Sequence, residues 1–189
     1  MSLSYSESMS LKNVQLDIGC GGNKQERFTG IDKRELPGVD IVHDLEHFPW
    51  PLADESCRTL IASHFVEHLN PKIMIDFMNE AWRILESHGT FAIAVPYAGS
   101  RGYWQDPTHQ NGCNEVTWQY FDPNYPLYHI YKPKPWSIQK GFPVYQVQGN
   151  LEVILTKLPE NIAEVRKDLS GTTLAISVAD SVKTSERVG

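Results

Sequence analysis

Apolar positions in this chain fall mostly into short runs that each end on a polar residue, and only once into helical spacing. Val14, Leu16 and Ile18 form the first run, which stops at Gly19-Cys20-Gly21-Gly22, as a buried strand does where it meets a loop. Residues 28–32, 39–45, 56–63 and 90–95 read as further strands with acids, serine or proline at their ends. Between the last two, Asn70-Pro71 supplies a cap and a first-turn proline. Ile73, Met74, Phe77, Met78, Ala81 and Leu85 then recur at helical spacing, which predicts a helix running to a stop at Gly89. Residues 146–158 alternate again, with Leu151, Val153 and Leu155 on one side, and are expected to pair antiparallel with residues 136–140 at the sheet edge. The pattern predicts a doubly wound α/β domain: a mostly parallel sheet with an antiparallel edge strand and a ligand crevice along its carboxyl edge.

The glycine cluster is where that crevice acquires chemistry. Without a Cβ, glycine lets the backbone approach a ligand closely; the plainer alternative is a tight turn between two core strands. Asp17 favours the ligand reading, because a carboxylate inside an apolar strand end is costly to bury alone. Asp32, at the tip of the neighbouring strand, stands where a nucleotide's ribose hydroxyls fall in such sheets. A dinucleotide fingerprint places its acid about 20 residues beyond the glycines. Asp32 follows the cluster much sooner and Lys24 takes the last glycine position, which argues against NAD or FAD.

Length, charge and cysteine content narrow the class. The 189 residues fit one domain, expected to span 11–159, with a serine-rich disordered lead at 1–10 and a weakly ordered C-terminal tail at 160–189. A net charge of −6 without a basic run argues against nucleic acid. Three spaced cysteines outline neither a disulfide framework nor a zinc knuckle, which suggests a reducing, cytoplasmic setting. No apolar run approaches the roughly 20 residues of a membrane span.

Residues 97–136 break the rhythm and hold ten of the twenty aromatic residues. Long loops in compact domains commonly cover binding sites, so this segment is expected as a cap, with Tyr97, Tyr103 and Trp104 as substrate-pocket candidates; the alternative is a homodimer interface. His109 follows Asp106-Pro107-Thr108 and is the candidate general base for a hydroxyl or amine, with a solvated loop histidine as the plain alternative. His64 and His68 would share a helical face, but HExxH is absent; the expectation is local hydrogen bonding and no metal.

Five segments in order, LDIGCGGN (16–23), GID (30–32), HDL (43–45), SHFVEHL (63–69) and ILESHGTFAIAVP (84–96), resemble the class I S-adenosylmethionine-dependent methyltransferases, with a fainter likeness at DPTH (106–109). The resemblance implies a Rossmann-like fold, S-adenosylmethionine as cofactor and S-adenosylhomocysteine as product. It places Asp17, Gly19, Cys20 and Gly21 at the methionine end, Asp32 at the ribose, Asp44 and Leu45 at the adenine, and Ser63 and His64 closing the site. It is silent on the acceptor, for which a small molecule with an O or N nucleophile is expected; a catalytically silent binding module is the alternative. Two departures stand out. The connection after the glycine loop is too short for the helix the family carries there, and the fourth-strand tip lacks the DPPY-type or Pro-Cys motifs of DNA base methylation.

Overall fold

The computed structural model describes residues 3–146 and 149–161; the expected C-terminal tail lies almost wholly outside the described residues. The chain opens with helix α1 (Tyr5–Met9), capped by Ser4, whose side chain accepts from the Glu7 N–H while Glu7 returns a bond to the Ser4 backbone. This Ser-x-x-Glu box corrects the expectation of a disordered lead.

Strands β1 (Val14–Ile18), β2 (Thr29–Asp32), β3 (Ile41–Val42), β4 (Cys57–Ser63) and β5 (Leu85–Pro96) follow, with helix α2 (Met74–Ile84) between the last two. After β5 come α3 (Arg101–Trp104), α4 (Tyr128–Tyr131), β6 (Trp136–Ile138), β7 (Val144–Tyr145) and β8 (Asn150–Lys157). The sheet order is β3-β2-β1-β4-β5-β8-β6, with β7 also on β8. β1 to β5 are mutually parallel and β8 is antiparallel to β5, β6 and β7. The expected pairing of residues 136–140 with 146–158 is present as Ser137 opposite Thr156. Chain order reverses between β1 and β4, the switch point at which ligands bind in open α/β sheets.

One face of the sheet carries the core. Leu16, Leu60, Phe91 and Leu155 lie in one cross-strand row, fully buried, under Phe77, Met78, Ala81 and Ile84 of α2 and the aromatic sequence Trp50–Phe77–Phe91–Trp136. The next row, Ile61, Ala92 and Ile154, faces the other way and is only half-buried. The family's helix after the glycine loop is absent here, as its spacing predicted: residues 19–28 are turns and loop. Among the described residues α2 is the one helix longer than five residues.

Two expectations are corrected. The helix does not run to Gly89. It ends at Ile84, because Leu85 turns extended to pair with Cys57. The register then jumps from Cys57↔Leu85 to Thr59↔Thr90, a bulge in which a Cβ on Gly89 would lie 2.7 Å from Leu85 Cδ2 and 3.1 Å from the Arg58 carbonyl. Gly89 therefore answers a close approach of two strands. The aromatic segment 97–136 is also not a cap throughout: Cys113, Trp118, Phe121 and Trp136 belong to the main core.

Candidate functional site

A cavity of about 460 Å³ opens at the carboxyl edge of the sheet, within the size range of small-molecule sites. Gly19, Asp32, Arg34, Asp44 and Leu45 form one wall; His64, Phe65, His68, Thr108 and Gln110 form the other. Gly19 leaves β1 with φ +67°, and its N–H donates to the Ile31 carbonyl at 2.9 Å. A Cβ there would lie 2.1 Å from Phe65 Cδ2. Conformation and space both exclude any residue but glycine.

Asp32 ends β2 almost fully buried. Its Oδ2 accepts from the Gly21 N–H at 2.9 Å, and its Oδ1 from the Arg34 backbone at 2.9 Å and Arg34 Nε at 3.1 Å. Burial alone raises this carboxyl, but the Arg34 and Gly21 donors outweigh it and hold the pKa below the ordinary aspartate value. Asp32 is therefore an ionised acceptor at neutral pH. Asp44 is half-exposed beside His47. Leu45 is buried, its carbonyl held by Trp50 Nε1 at 3.1 Å.

Of the remaining sequence candidates His64 lines this cavity, while Asp17, Cys20, Gly21, Ser63 and His109 do not. Asp17 lies behind the glycine loop, where its Oδ2 accepts from the Gln25 N–H at 2.7 Å; burial raises its pKa. Cys20 is buried and points toward Gly30, so it offers backbone to the loop, with its thiol pushed up to about 11 by burial and by the Asp17 and Asp32 charges. Gly21 contributes its N–H to Asp32. Ser63 is exposed at the tip of β4, beside a shallow groove on the half-buried sheet face. His64 adopts φ +53° and lines the cavity. The three aromatic candidates do not line it. Tyr97 packs edge-on against Tyr145, Trp104 is 76% exposed, and Tyr103 is buried against His109.

His109 is neither solvated nor presented on a loop tip. Its side chain is 7% exposed, and Nδ1 lies 2.7 Å from the Tyr103 carbonyl. A carbonyl only accepts, so Nδ1 carries a proton, and in the neutral ring Nε2 is the nitrogen with the lone pair. That Nε2 is 3.9 Å from Glu67 Oε1, and His64 Nδ1 is 3.3 Å from the same oxygen. Sequence reasoning passed over Glu67, which is 1% exposed and whose two carboxylate oxygens have no hydrogen-bond donor among the described residues. Burial raises its pKa against the pull of the surrounding imidazoles.

His64 and His68 share no α-helical face, since Val66–His68 is a 3₁₀ turn; they flank Glu67. The DPTH loop is stitched to that turn. Gln110 and Asn111 N–H groups donate to the Glu67 carbonyl at 2.9 and 3.0 Å, and Gln110 Nε2 and Asn111 Nδ2 donate to the His68 and Val66 carbonyls. The fainter motif is thereby brought to the crevice, while most of the aromatic segment is not.

Sheet order, glycine turn and strand-tip acids together define the fold of the class I S-adenosylmethionine-dependent methyltransferases. Solved structures with this fold are similar to the chain over about four fifths of its length. A SAM-dependent methyltransferase from Archaeoglobus fulgidus is 16% identical, with a TM-score of 0.56 over 81% of this chain and 90% of that one. One from Methanosarcina mazei is 15% identical, with a TM-score of 0.55 over 85% of this chain and 100% of that one. The 1,6-didemethyltoxoflavin-N1-methyltransferase of Burkholderia thailandensis, solved with its substrate and S-adenosylhomocysteine, is 13% identical, with a TM-score of 0.55 over 79% and 72%. No family model and no curated protein matches the sequence.

Proposed function

We propose that this chain is an S-adenosylmethionine-dependent methyltransferase acting on a small molecule with an oxygen or nitrogen nucleophile and releasing S-adenosylhomocysteine. The observation that carries the reading is one cavity with two chemically different walls: an ionised Asp32 beside a glycine cradle on one side, and His64 and His68 on the other, with Glu67 and His109 in the layer behind them. The 1,6-didemethyltoxoflavin bound together with S-adenosylhomocysteine in the similar N1-methyltransferase supports an acceptor of this class.

In this reading Asp32 accepts the two ribose hydroxyls, Arg34 Nε yielding its place, and Asp44 accepts from the adenine amine while Leu45 faces the ring. The loop of Gly19, Cys20 and Gly21, whose N–H groups are held by the Ile31 carbonyl and Asp32, brings its backbone close against the methionine end of the cofactor, with Asp17 behind it and Ser63 and His64 at the β4 tip closing that end. The cofactor supplies an electrophilic methyl on a sulfonium, so the protein's share of catalysis is chiefly approach geometry and exclusion of water. His109 Nε2, with its lone pair oriented by the Tyr103 carbonyl, takes the acceptor's proton. Tyr103 supports that ring, and Tyr97 and Trp104 stand outside the cavity wall.

The silent binding module is the second reading. It is favoured by Arg34, which already occupies Asp32, and by the burial of His109. Three unpaired buried cysteines fit a reducing cytoplasm, no helix among the described residues is long and apolar enough to cross a membrane, and exposed Ile130 and Tyr131 offer the aromatic segment a homodimer contact.

Calorimetry with S-adenosylmethionine, S-adenosylhomocysteine and NAD, followed by a labelled-methyl screen of hydroxyl, amine and carboxyl compounds, tests the proposal. Binding of the first two but not NAD, with label transferred to one acceptor class, supports it. Cofactor binding without transfer to any class favours the binding module, and NAD binding alone overturns both.

A further inference from the structure

The geometry points to a binding site for a first-row transition-metal dication, formed by Glu67, His68 and His109 at the acceptor wall of the cavity. One ligand atom from each residue lies within 4.8 Å of the other two. The Glu67 carboxyl is 1% exposed and neither oxygen has a hydrogen-bond donor among the described residues; only imidazoles stand near it, His64 Nδ1 at 3.3 Å and His109 Nε2 at 3.9 Å, so burying it ionised is costly unless a cation joins it. Asp106 adds a second carboxylate at the rim, its Oδ2 3.8 Å from His109 Nε2.

The histidines are also set up as ligands. His109 gives its Nδ1 proton to the Tyr103 carbonyl. Thr108 has one hydroxyl proton, which it gives to Asp106 Oδ1 at 2.7 Å, so its oxygen accepts from His68 Nδ1 at 3.0 Å. Each ring is therefore held by a partner on Nδ1, which leaves Nε2 as the nitrogen free to bind a cation, the arrangement that orients metal-bound imidazoles. Two imidazoles and one carboxylate suit zinc, iron(II), cobalt(II) or manganese(II) better than magnesium or calcium, which favour all-oxygen sets. His68 and Thr108 line the cavity, which sets the site at its edge, with Glu67 and His109 behind. This site replaces the expectation of no metal. It does not rest on the methyltransferase reading, and with a cation bound His109 Nε2 serves as a ligand in place of a base.

The test uses the full chain without an affinity tag, stripped with chelator and titrated with cobalt(II) chloride under calorimetry and visible absorption. The expected result is one cobalt per chain and d–d bands of a low-symmetry site, with magnesium binding at least about 100-fold weaker. Glu67→Gln, His68→Gln and His109→Gln should each weaken cobalt binding about tenfold or more, while His129→Gln, on the exposed α4, should not. Glu67→Gln also guards against loss of fold. Without metal it should melt no lower than the parent, because it replaces a buried carboxyl that has no hydrogen-bond donor among the described residues; with cobalt it should lack the parent's rise in melting temperature. No bound cobalt, or binding unchanged in all three ligand variants, overturns the site. S-adenosylhomocysteine titrated into the same sample separates the two proposals: cobalt bound without it leaves the metal site standing and removes the transferase reading, and the reverse outcome does the opposite.

Discussion

Replacing Asp32 by Asn keeps the shape of the side chain and removes the charge that the cradle is built around. In the free protein the carboxylate accepts from Gly21 N–H, Arg34 N–H and Arg34 Nε. On cofactor binding two ribose hydroxyls become charge-assisted donors, each worth about 1.5 kcal/mol at the lower end of the usual range. Against this, Arg34 gives up its Nε bond. Its side chain is 61% exposed, so that loss is about 1 kcal/mol at most. The net is about 2 kcal/mol, or roughly 30-fold weaker binding of S-adenosylhomocysteine by Asp32→Asn. Calorimetry reads it directly, with Arg34→Ala as the control that separates competitor from ligand: removal of a competitor leaves affinity equal or tighter. The pH dependence follows from the lowered pKa of Asp32. A depressed carboxyl contributes stability that is present above its unfolded value, about 3.9, and is lost as pH falls through the folded value, so cofactor affinity should hold through pH 5 and decline only below the ordinary aspartate range. An Asp32→Asn constant within about threefold of the parent would refute the assignment.

Burial pushes the thiols of Cys20 and Cys57 up to about 11 and that of Cys113 up to about 12; Ellman's reagent at pH 8 should find almost no reactive thiol in the native chain and all three after guanidinium unfolding, and one rapidly reacting equivalent would contradict the burial. Arg83 binds Glu80 through Nε and Nη2 at 2.9 and 2.6 Å and the Leu52 carbonyl at 2.9 Å, so Arg83→Ala, which leaves the buried Glu80 short of its cation, should cost about 3 kcal/mol in urea unfolding. A midpoint unchanged at constant slope would show that Trp50 N–H alone satisfies Glu80.

The strand tips were the legible part of this sequence. Val14, Leu16 and Ile18 share a face and stop at glycine, and Asp32 closes the next strand, so the local pattern and the tertiary role agree. The alternation of Leu151, Val153 and Leu155 likewise found its partner strand. The helix end was misread because a glycine after apolar residues at helical spacing looks like a C-cap, whereas Gly89 serves the contact with Arg58 across the bulge. Trp118 and Trp136 were misplaced because composition cannot tell an aromatic lid from an aromatic core; both are fully buried. Glu67 was the deepest omission. Its carboxylate meets His109 across a sequence separation bridged by β5, and only the return of the DPTH loop onto the VEH turn brings the two together. The one local signal was a glutamate between two histidines.

Phe65 touches both halves of this site. Its ring fills the space beside the Gly19 α-carbon, and its backbone carbonyl accepts from the His68 N–H at 3.0 Å. The ring also packs against Phe77 of α2, so it has little freedom to give way when the glycine loop shifts. A displacement of that loop would therefore press on the one ring that leads into the turn bearing Glu67 and His68. Phe65 thus joins the two walls by contact, and a smaller side chain there would open space beside Gly19 and at the head of the turn at once.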